Sequence, residues 1–244
     1  MKNLQVINIC LIALVMSAAS TVEASLQVGN RIRFTDQVGT TGGGEFGIHL
    51  KNNANPYAGN GESAELFQTF CLERNEFIDF HSNGFVIDSI SKEAFNGGVG
   101  GPNPDPISAE TAWMFFSFTK GTLSGYLGDT TSANNLQNAI WGLENEIAQD
   151  AAWSSNPFVI AALAANAGEK ATALAQTFVL NILWASDRHN FDGVYEGPTP
   201  GTLTGGDRAQ SMLYVVPEAS TVAVWSVLSL IGVIAGYQRR VKSA

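Results

Sequence analysis

Two short segments carry the residues best suited to chemistry. Residues 67–76 (FQTFCLERNE) contain Cys71, and residues 136–144 (LQNAIWGLE) contain Gln137. The chain has two cysteines, and the other, Cys10, lies in an N-terminal segment that we expect to be removed on export. A solitary cysteine is unusual in an exported protein, because oxidising compartments favour paired cysteines. Cys71 is therefore either a reactive thiol or a small buried apolar residue.

Together the two segments resemble the thioester domains of bacterial surface adhesins. In that family a cysteine on a strand bonds to a glutamine in a Gln-x-Ala-Ile-Trp helix motif, and residues 137–141 match all five positions. Leu136 stands where the family commonly has threonine. The resemblance covers residues 67–146 and implies a covalent bond between Cys71 and Gln137. The motif residues that would support this bond are Ala139, Ile140 and Trp141.

The resemblance implies a specific reaction. The Cys71 thiolate would attack the side-chain amide carbon of Gln137, ammonia would leave, and an acyl thioester would remain. An amide is a poor electrophile, so the site must hold both groups close together and polarise the carbonyl. We expect Gln137 to lie near a helix start, where free backbone N–H groups are available. A lysine amine or a hydroxyl of a partner would then displace Cys71, and Trp141 would shield the bond from water.

Two other interpretations remain open at this point. A lone strand cysteine is more often inert, and a glutamine on a helix is more often solvent-facing. The domain would then be a non-covalent binding or structural module of the extracellular matrix. A secreted hydrolase is the other possibility, and it would need a catalytic pair of carboxylates.

The rest of the composition gives little support to other chemistry. The formal net charge of −9 argues against a nucleic-acid partner, because phosphate binding needs a basic patch. Several carboxylates are predicted to be solvated edges or polar helix faces: Glu73, Glu76, Asp79, Glu144 and Glu146. The three histidines lack zinc-ligand spacing: His49, His81 and His189. We therefore predict a protein that is not an enzyme and has no cofactor and no metal site.

The N-terminus predicts export. Residues 1–24 carry a positive charge near their start, at Lys2. An apolar run follows at residues 7–16 and is too short to span a bilayer. Residues 22–24 (VEA) form a plausible cleavage site. These features are typical of a cleavable signal peptide.

The C-terminal segment, residues 216–244, resembles the PEP-CTERM sorting signal of Gram-negative bacteria. Its motif residues are Val216, Pro217 and Glu218. Ala219 stands where a second proline is frequent in that family. A short apolar stretch, residues 222–237, predicts a transmembrane helix of marginal length. A basic tail follows and would stay on the cytoplasmic side: Arg239, Arg240 and Lys242.

This resemblance implies partners and a location rather than a chemical activity. An exosortase would cut the chain near the Pro-Glu motif, and the export machinery and the membrane would be its other partners. The cargo would reach the cell envelope, the outer surface or the extracellular matrix. There its partner would be a protein or polysaccharide that bears amines or hydroxyls.

Residues 25–215 then form the folded domain. Alternating apolar residues predict strands at 26–34, 46–50, 66–72, 85–90 and 212–216, with another near Tyr195. Helical periodicity predicts helices after Ser108, after Ser132, at 158–167 and at 171–185. Strands on both sides of a helical block predict the α+β class, as a β-sandwich-like domain with an inserted helical block.

Overall fold

The computed structural model describes residues 26–51, 64–78, 80, 84–184 and 208–216. Leu26–Val216 form one compact unit. The predicted signal peptide, the predicted strand near Tyr195 and the predicted membrane segment 222–237 lie outside the described residues. Within the described ranges, no helix is long and apolar enough to cross a membrane.

The predicted α+β class is confirmed, and its strands form one main antiparallel sheet. Among the described residues the sheet has six strands in the order β3-β2-β1-β4-β7-β8, and a separate two-stranded ribbon pairs β5 with β6. The strands are β1 (Arg31–Asp36), β2 (Gly44–Leu50), β3 (Phe67–Phe70), β4 (Phe85–Ser91), β5 (Glu93–Ala94), β6 (Asp105–Pro106), β7 (Thr177–Trp184) and β8 (Met212–Val215).

The two edges of this sheet meet, which differs from the predicted sandwich of two sheets. Cys71, just after β3, forms an antiparallel bridge with Met212 at the start of β8. The Thr69 hydroxyl donates a 2.6 Å hydrogen bond to the Leu213 carbonyl. Closure gives partners to edge groups that would otherwise be unpaired. Strand periodicity could not predict this, because it identifies strands and not the order in which they pair.

Five helices lie between β6 and β7, as the predicted inserted block requires. They are α1 (Ala109–Thr119), α2 (Thr130–Leu143), α3 (Ala151–Ser154), α4 (Pro157–Ala164) and α5 (Ala167–Gln176). Ser108 caps α1, as predicted, by accepting from the Thr111 N–H. Helix α2 begins earlier than predicted, because Asp129 and Ser132 form a reciprocal capping box at its start.

The predicted helix at 171–185 is wrong in its second half. Helix α5 ends at Gln176, and the following run, TFVLNILW, is strand β7. This strand pairs with β4 on one side and β8 on the other. Both of its faces are covered: Val179, Leu180 and Ile182 are all buried. A strand buried on both faces lacks the alternation that distinguishes a strand from a helix.

Two apolar clusters make up the core, and they meet around Cys71. One cluster joins the helices to the sheet and includes Phe70, Phe115, Leu136 and Phe158. The other is formed mainly by strand residues and also contains Cys71 and Trp141. Helix α2 contributes to both clusters, since Leu136 belongs to the first and Trp141 to the second. The packing of α2 therefore determines the surroundings of Cys71.

Sheet closure provides a stability prediction. Replacing Thr69 by valine keeps the side-chain volume and removes the buried bond to Leu213, which should lower the free energy of unfolding by about 1–2 kcal/mol. Urea unfolding measures this change. Thr69→Ser keeps the hydroxyl and is expected to lose less stability. Equal stability of wild type and Thr69→Val would contradict the role of this bond in closure.

Candidate functional site

Cys71 is held at the seam where the sheet closes. Its side chain is almost completely buried. On one side its N–H donates to the Gly43 carbonyl at 2.9 Å, and on the other the Leu72 N–H donates to the Ser211 carbonyl at 2.9 Å. These backbone bonds, together with the bridge to Met212, fix the cysteine between two strands. Cys71 forms no disulfide in the described structure.

Gln137 lies in the middle of α2 rather than near its start. The helix runs from Thr130 to Leu143, so Gln137 is beyond the first turn, and the free N–H groups of the helix start are not its partners. The predicted source of carbonyl polarisation is therefore wrong. Gln137 is completely buried, which also excludes the alternative of a solvent-facing glutamine.

The side chain of Gln137 binds the backbone of Cys71 at two points. Gln137 Oε1 accepts at 3.1 Å from the Cys71 N–H, a hydrogen that it shares with the Gly43 carbonyl, and Gln137 Nε2 donates to the Cys71 carbonyl at 2.9 Å. A buried carboxamide needs such partners, because an unsatisfied polar group costs free energy. The N–H bonded to Oε1 also polarises the carbonyl that a nucleophile would attack. Cys71 itself thus supplies the donor that was expected from a helix start.

Gly43 and Trp141 enclose the same carboxamide. A Cβ atom at Gly43 would lie only 2.8 Å from Gln137 Cδ and 2.7 Å from Trp141 Cη2, so only glycine fits there. Trp141 is itself buried. The indole therefore lies beside the Gln137 carboxamide, the position that a shield against water would require. Of the other motif residues, Ala139 and Ile140 pack in the helix-facing core cluster and do not line the site.

Burial sets the protonation state of the thiol. Desolvation raises the pKa of Cys71 well above its usual value, and the negative charge of Glu76 raises it further. The thiol is therefore protonated at neutral pH. A group in this state is stable toward oxidation and solvent, and it reacts only with a partner held directly beside it.

A second cluster, which sequence reasoning missed, lies next to this segment. Glu73, Glu144 and Glu146 are all buried rather than solvated, which corrects the predicted acidic edge and polar helix face. A Cβ at Gly98 would clash with Glu73 Oε2 and Glu146 Oε1, so these two carboxyl groups lie side by side. The pairing joins residues far apart in sequence, so local patterns carried no signal for it.

The two members of this pair differ in their hydrogen bonds. Glu146 accepts from the N–H groups of Arg74 (2.8 Å), Val99 (2.7 Å) and Gly100 (3.2 Å). Glu73 has no such donors among the described residues, and burial together with the charges of Glu146, Glu76 and Asp105 raises its pKa to about 9. Glu73 is therefore protonated at neutral pH, beside the Glu146 carboxyl group.

Glu144 forms a separate contact at the start of α1. Its carboxylate accepts a 2.6 Å hydrogen bond from the Ser108 hydroxyl, while burial raises its pKa to about 7. Across the described ranges, no group of histidine, cysteine or acidic residues is arranged to hold a metal ion.

The predicted sorting motif is described only at its first residue. Val216 is the last described residue and follows β8, and its N–H donates to the Gln176 carbonyl at 3.4 Å. The remaining sorting residues lie outside the described part of the chain: Pro217, Glu218, Arg239 and Arg240.

Comparison with protein-family models, curated proteins and solved structures finds no match to this chain.

The Glu73 carboxyl makes stability depend on pH. An unfolded glutamate loses its proton near 4.5 and the folded Glu73 near 9, so the free energy of unfolding should fall as pH rises across that interval. The Glu73→Gln side chain stays neutral and can donate to Glu146. Its free energy of unfolding should therefore change less with pH than that of wild type, and it should be higher than wild type near pH 8. Denaturant unfolding at pH 5, 7 and 9 measures the slopes. The exposed-site control Glu169→Gln should keep the wild-type slope, and a Glu73→Gln slope equal to wild type would contradict this assignment.

Proposed function

We propose that this chain is an exported surface or matrix protein, adhesin-like, with an internal thioester between Cys71 and Gln137. One observation carries the proposal: the Gln137 carboxamide makes two hydrogen bonds to Cys71 itself. The two residues are 66 positions apart, and their contact matches the pairing that the motif resemblance implies. The single-cysteine content of the predicted mature chain supports the same conclusion.

The proposed bond forms in one balanced step. Cys71 Sγ attacks Gln137 Cδ, the S–C bond forms as the C–Nε2 bond breaks, and the thiol proton leaves with the amide nitrogen as ammonia. The Cys71 N–H stabilises the charge that develops on Oε1 during the attack. Burial excludes water from the product, which slows its hydrolysis.

The proposed partner bears an accessible amine or hydroxyl. Its attack on the Gln137 acyl carbon would release the Cys71 thiol and join the partner covalently to Gln137. A lysine side chain of a surface protein and a hydroxyl of a matrix polysaccharide have the required chemistry.

A non-covalent module is the second candidate, and one observation favours it. The two hydrogen bonds give both polar atoms of the Gln137 carboxamide a partner without any reaction, and the high pKa of the Cys71 thiol opposes its ionisation. In that case the same contact would serve only to join α2 to the sheet.

Intact mass separates the two candidates. The freshly purified domain should be lighter than its composition by one ammonia, and methylamine should add once at Gln137 while Cys71 becomes open to alkylation. Cys71→Ala and Gln137→Ala should have their full masses and take up no methylamine. Gln68→Ala, which changes a half-buried glutamine on β3, should behave as wild type. A wild-type protein of full mass whose Cys71 alkylates after denaturation would support the non-covalent module.

The sorting part of the proposal includes the finer architecture: a cleavable signal over residues 1–24, the domain over 25–215 and a membrane helix over 222–237. Exosortase would cut near Pro217 and Glu218 and remove the helix with its basic tail. In a Gram-negative host that has an exosortase, Pro217→Ala with Glu218→Ala should leave an uncut chain in the membrane fraction. Immunoblotting of membrane and released fractions measures this. Equal release of the variant and wild type would argue against the motif, and Thr221→Ala serves as the neighbouring control.

A further inference from the structure

The loop between β1 and β2 covers the site. Its last residue, Gly43, lies against Cys71, Gln137 and Trp141. We name residues 39–43 the lid. They connect Val38 to Gly44, which is the first residue of β2. The Gly43 carbonyl accepts the Cys71 N–H at 2.9 Å. The Cα atom of Gly43 lies against Gln137 and Trp141, because a Cβ atom added there would clash with both side chains. A nucleophile approaching from the lid side therefore meets Gly43 before it meets Gln137 Cδ.

A two-point contact attaches the lid to α2. The Thr40 N–H donates to Asn134 Oδ1 at 2.7 Å, and Asn134 Nδ2 donates to Thr40 Oγ1 at 2.9 Å. Asn134 is three residues before Gln137, so both side chains project from the same face of the helix. These bonds are solvent-exposed, unlike the buried contacts beneath them. Water can therefore replace them at low net cost.

The lid has a fixed base and glycines at which its backbone can rotate. The Glu45 N–H donates to the Val38 carbonyl at 2.8 Å, which closes the base of the loop. Inside this base, Gly39, Gly42 and Gly44 have φ values of 123°, 80° and 135°, a region that residues with side chains rarely adopt. Of these, Gly39 and Gly42 lie outside β1 and β2, so backbone rotation at these two residues can move the lid without disturbing either strand.

We propose that the lid gates access to the Gln137 acyl carbon, and that the Thr40–Asn134 contact is the latch that keeps it closed. This inference rests on the proposed thioester for its function, although the latch itself is a property of the fold. With Cys71 and Gln137 both buried, an amine on a macromolecule reaches the acyl carbon only when the lid moves. A partner that binds Thr40 or Asn134 would open the lid and expose the thioester at the place of contact.

Asn134→Ala tests the latch because it removes both bonds and leaves the buried residues unchanged. Hydrogen–deuterium exchange of peptides containing the lid and Cys71 should become about fivefold faster or more, as expected for the loss of two exposed hydrogen bonds. Thr40→Ala removes one of the two bonds and should give a smaller increase. Asn135→Ala is the matched control, since its side chain makes no hydrogen bond to the lid within the described structure, and it should exchange as wild type.

The rate of methylamine uptake provides the second measurement. In protein whose intact mass shows the thioester, Asn134→Ala should take up methylamine about fivefold faster or more than wild type and Asn135→Ala. Unchanged uptake would overturn the gate. If the intact mass shows no thioester, the proposed function fails, and the exchange data alone decide about the latch. Equal exchange of Asn134→Ala and Asn135→Ala would overturn the latch in either case.

Discussion

The contact between the Gln137 carboxamide and the Cys71 backbone is the constraint on which the rest of the structure depends. It is a buried polar contact, and each of its hydrogen bonds satisfies a group that would cost free energy if it were left unpaired where the helix packs against the sheet. The position of Cys71 requires the closed seam between β3 and β8. The position of Gln137 requires that α2 lie across that seam. The helix then places Leu136 in one core cluster and Trp141 in the other.

Burial has two opposite consequences at this site. It removes water from Cys71 and Gln137, which would protect a thioester, and it raises the pKa of the thiol, which slows the formation of one. The geometry of the site has to offset the raised pKa of the thiol. The hydrogen bond from the Cys71 N–H to Gln137 Oε1 is one part of that geometry. The neighbouring Glu73 follows the same rule, since burial among carboxylates keeps it protonated. This segment is therefore rich in groups held in their neutral forms.

Part of the fold could be predicted from local patterns. The four early strands, the Ser108 cap and the apolar stripe of α2 follow from periodicity and capping chemistry, and the structure contains them. Strand β7 could not be separated from a helix, because its burial on both faces removes the alternation that marks a strand. Burial of Glu73 and Glu146 depends on loop contacts between distant segments, and side-chain type alone predicted the opposite.

The sequence by itself determined the α+β class and selected Cys71, Gln137 and Trp141 as the residues to explain. It did so because residue types and a short motif are local properties. Only the tertiary structure decided that one closed sheet holds Cys71, that Gln137 meets it from mid-helix, and that Gly43 covers both. These decisions depend on strand pairing and helix packing over 66 residues or more of chain, and such contacts leave no periodic trace in a sequence.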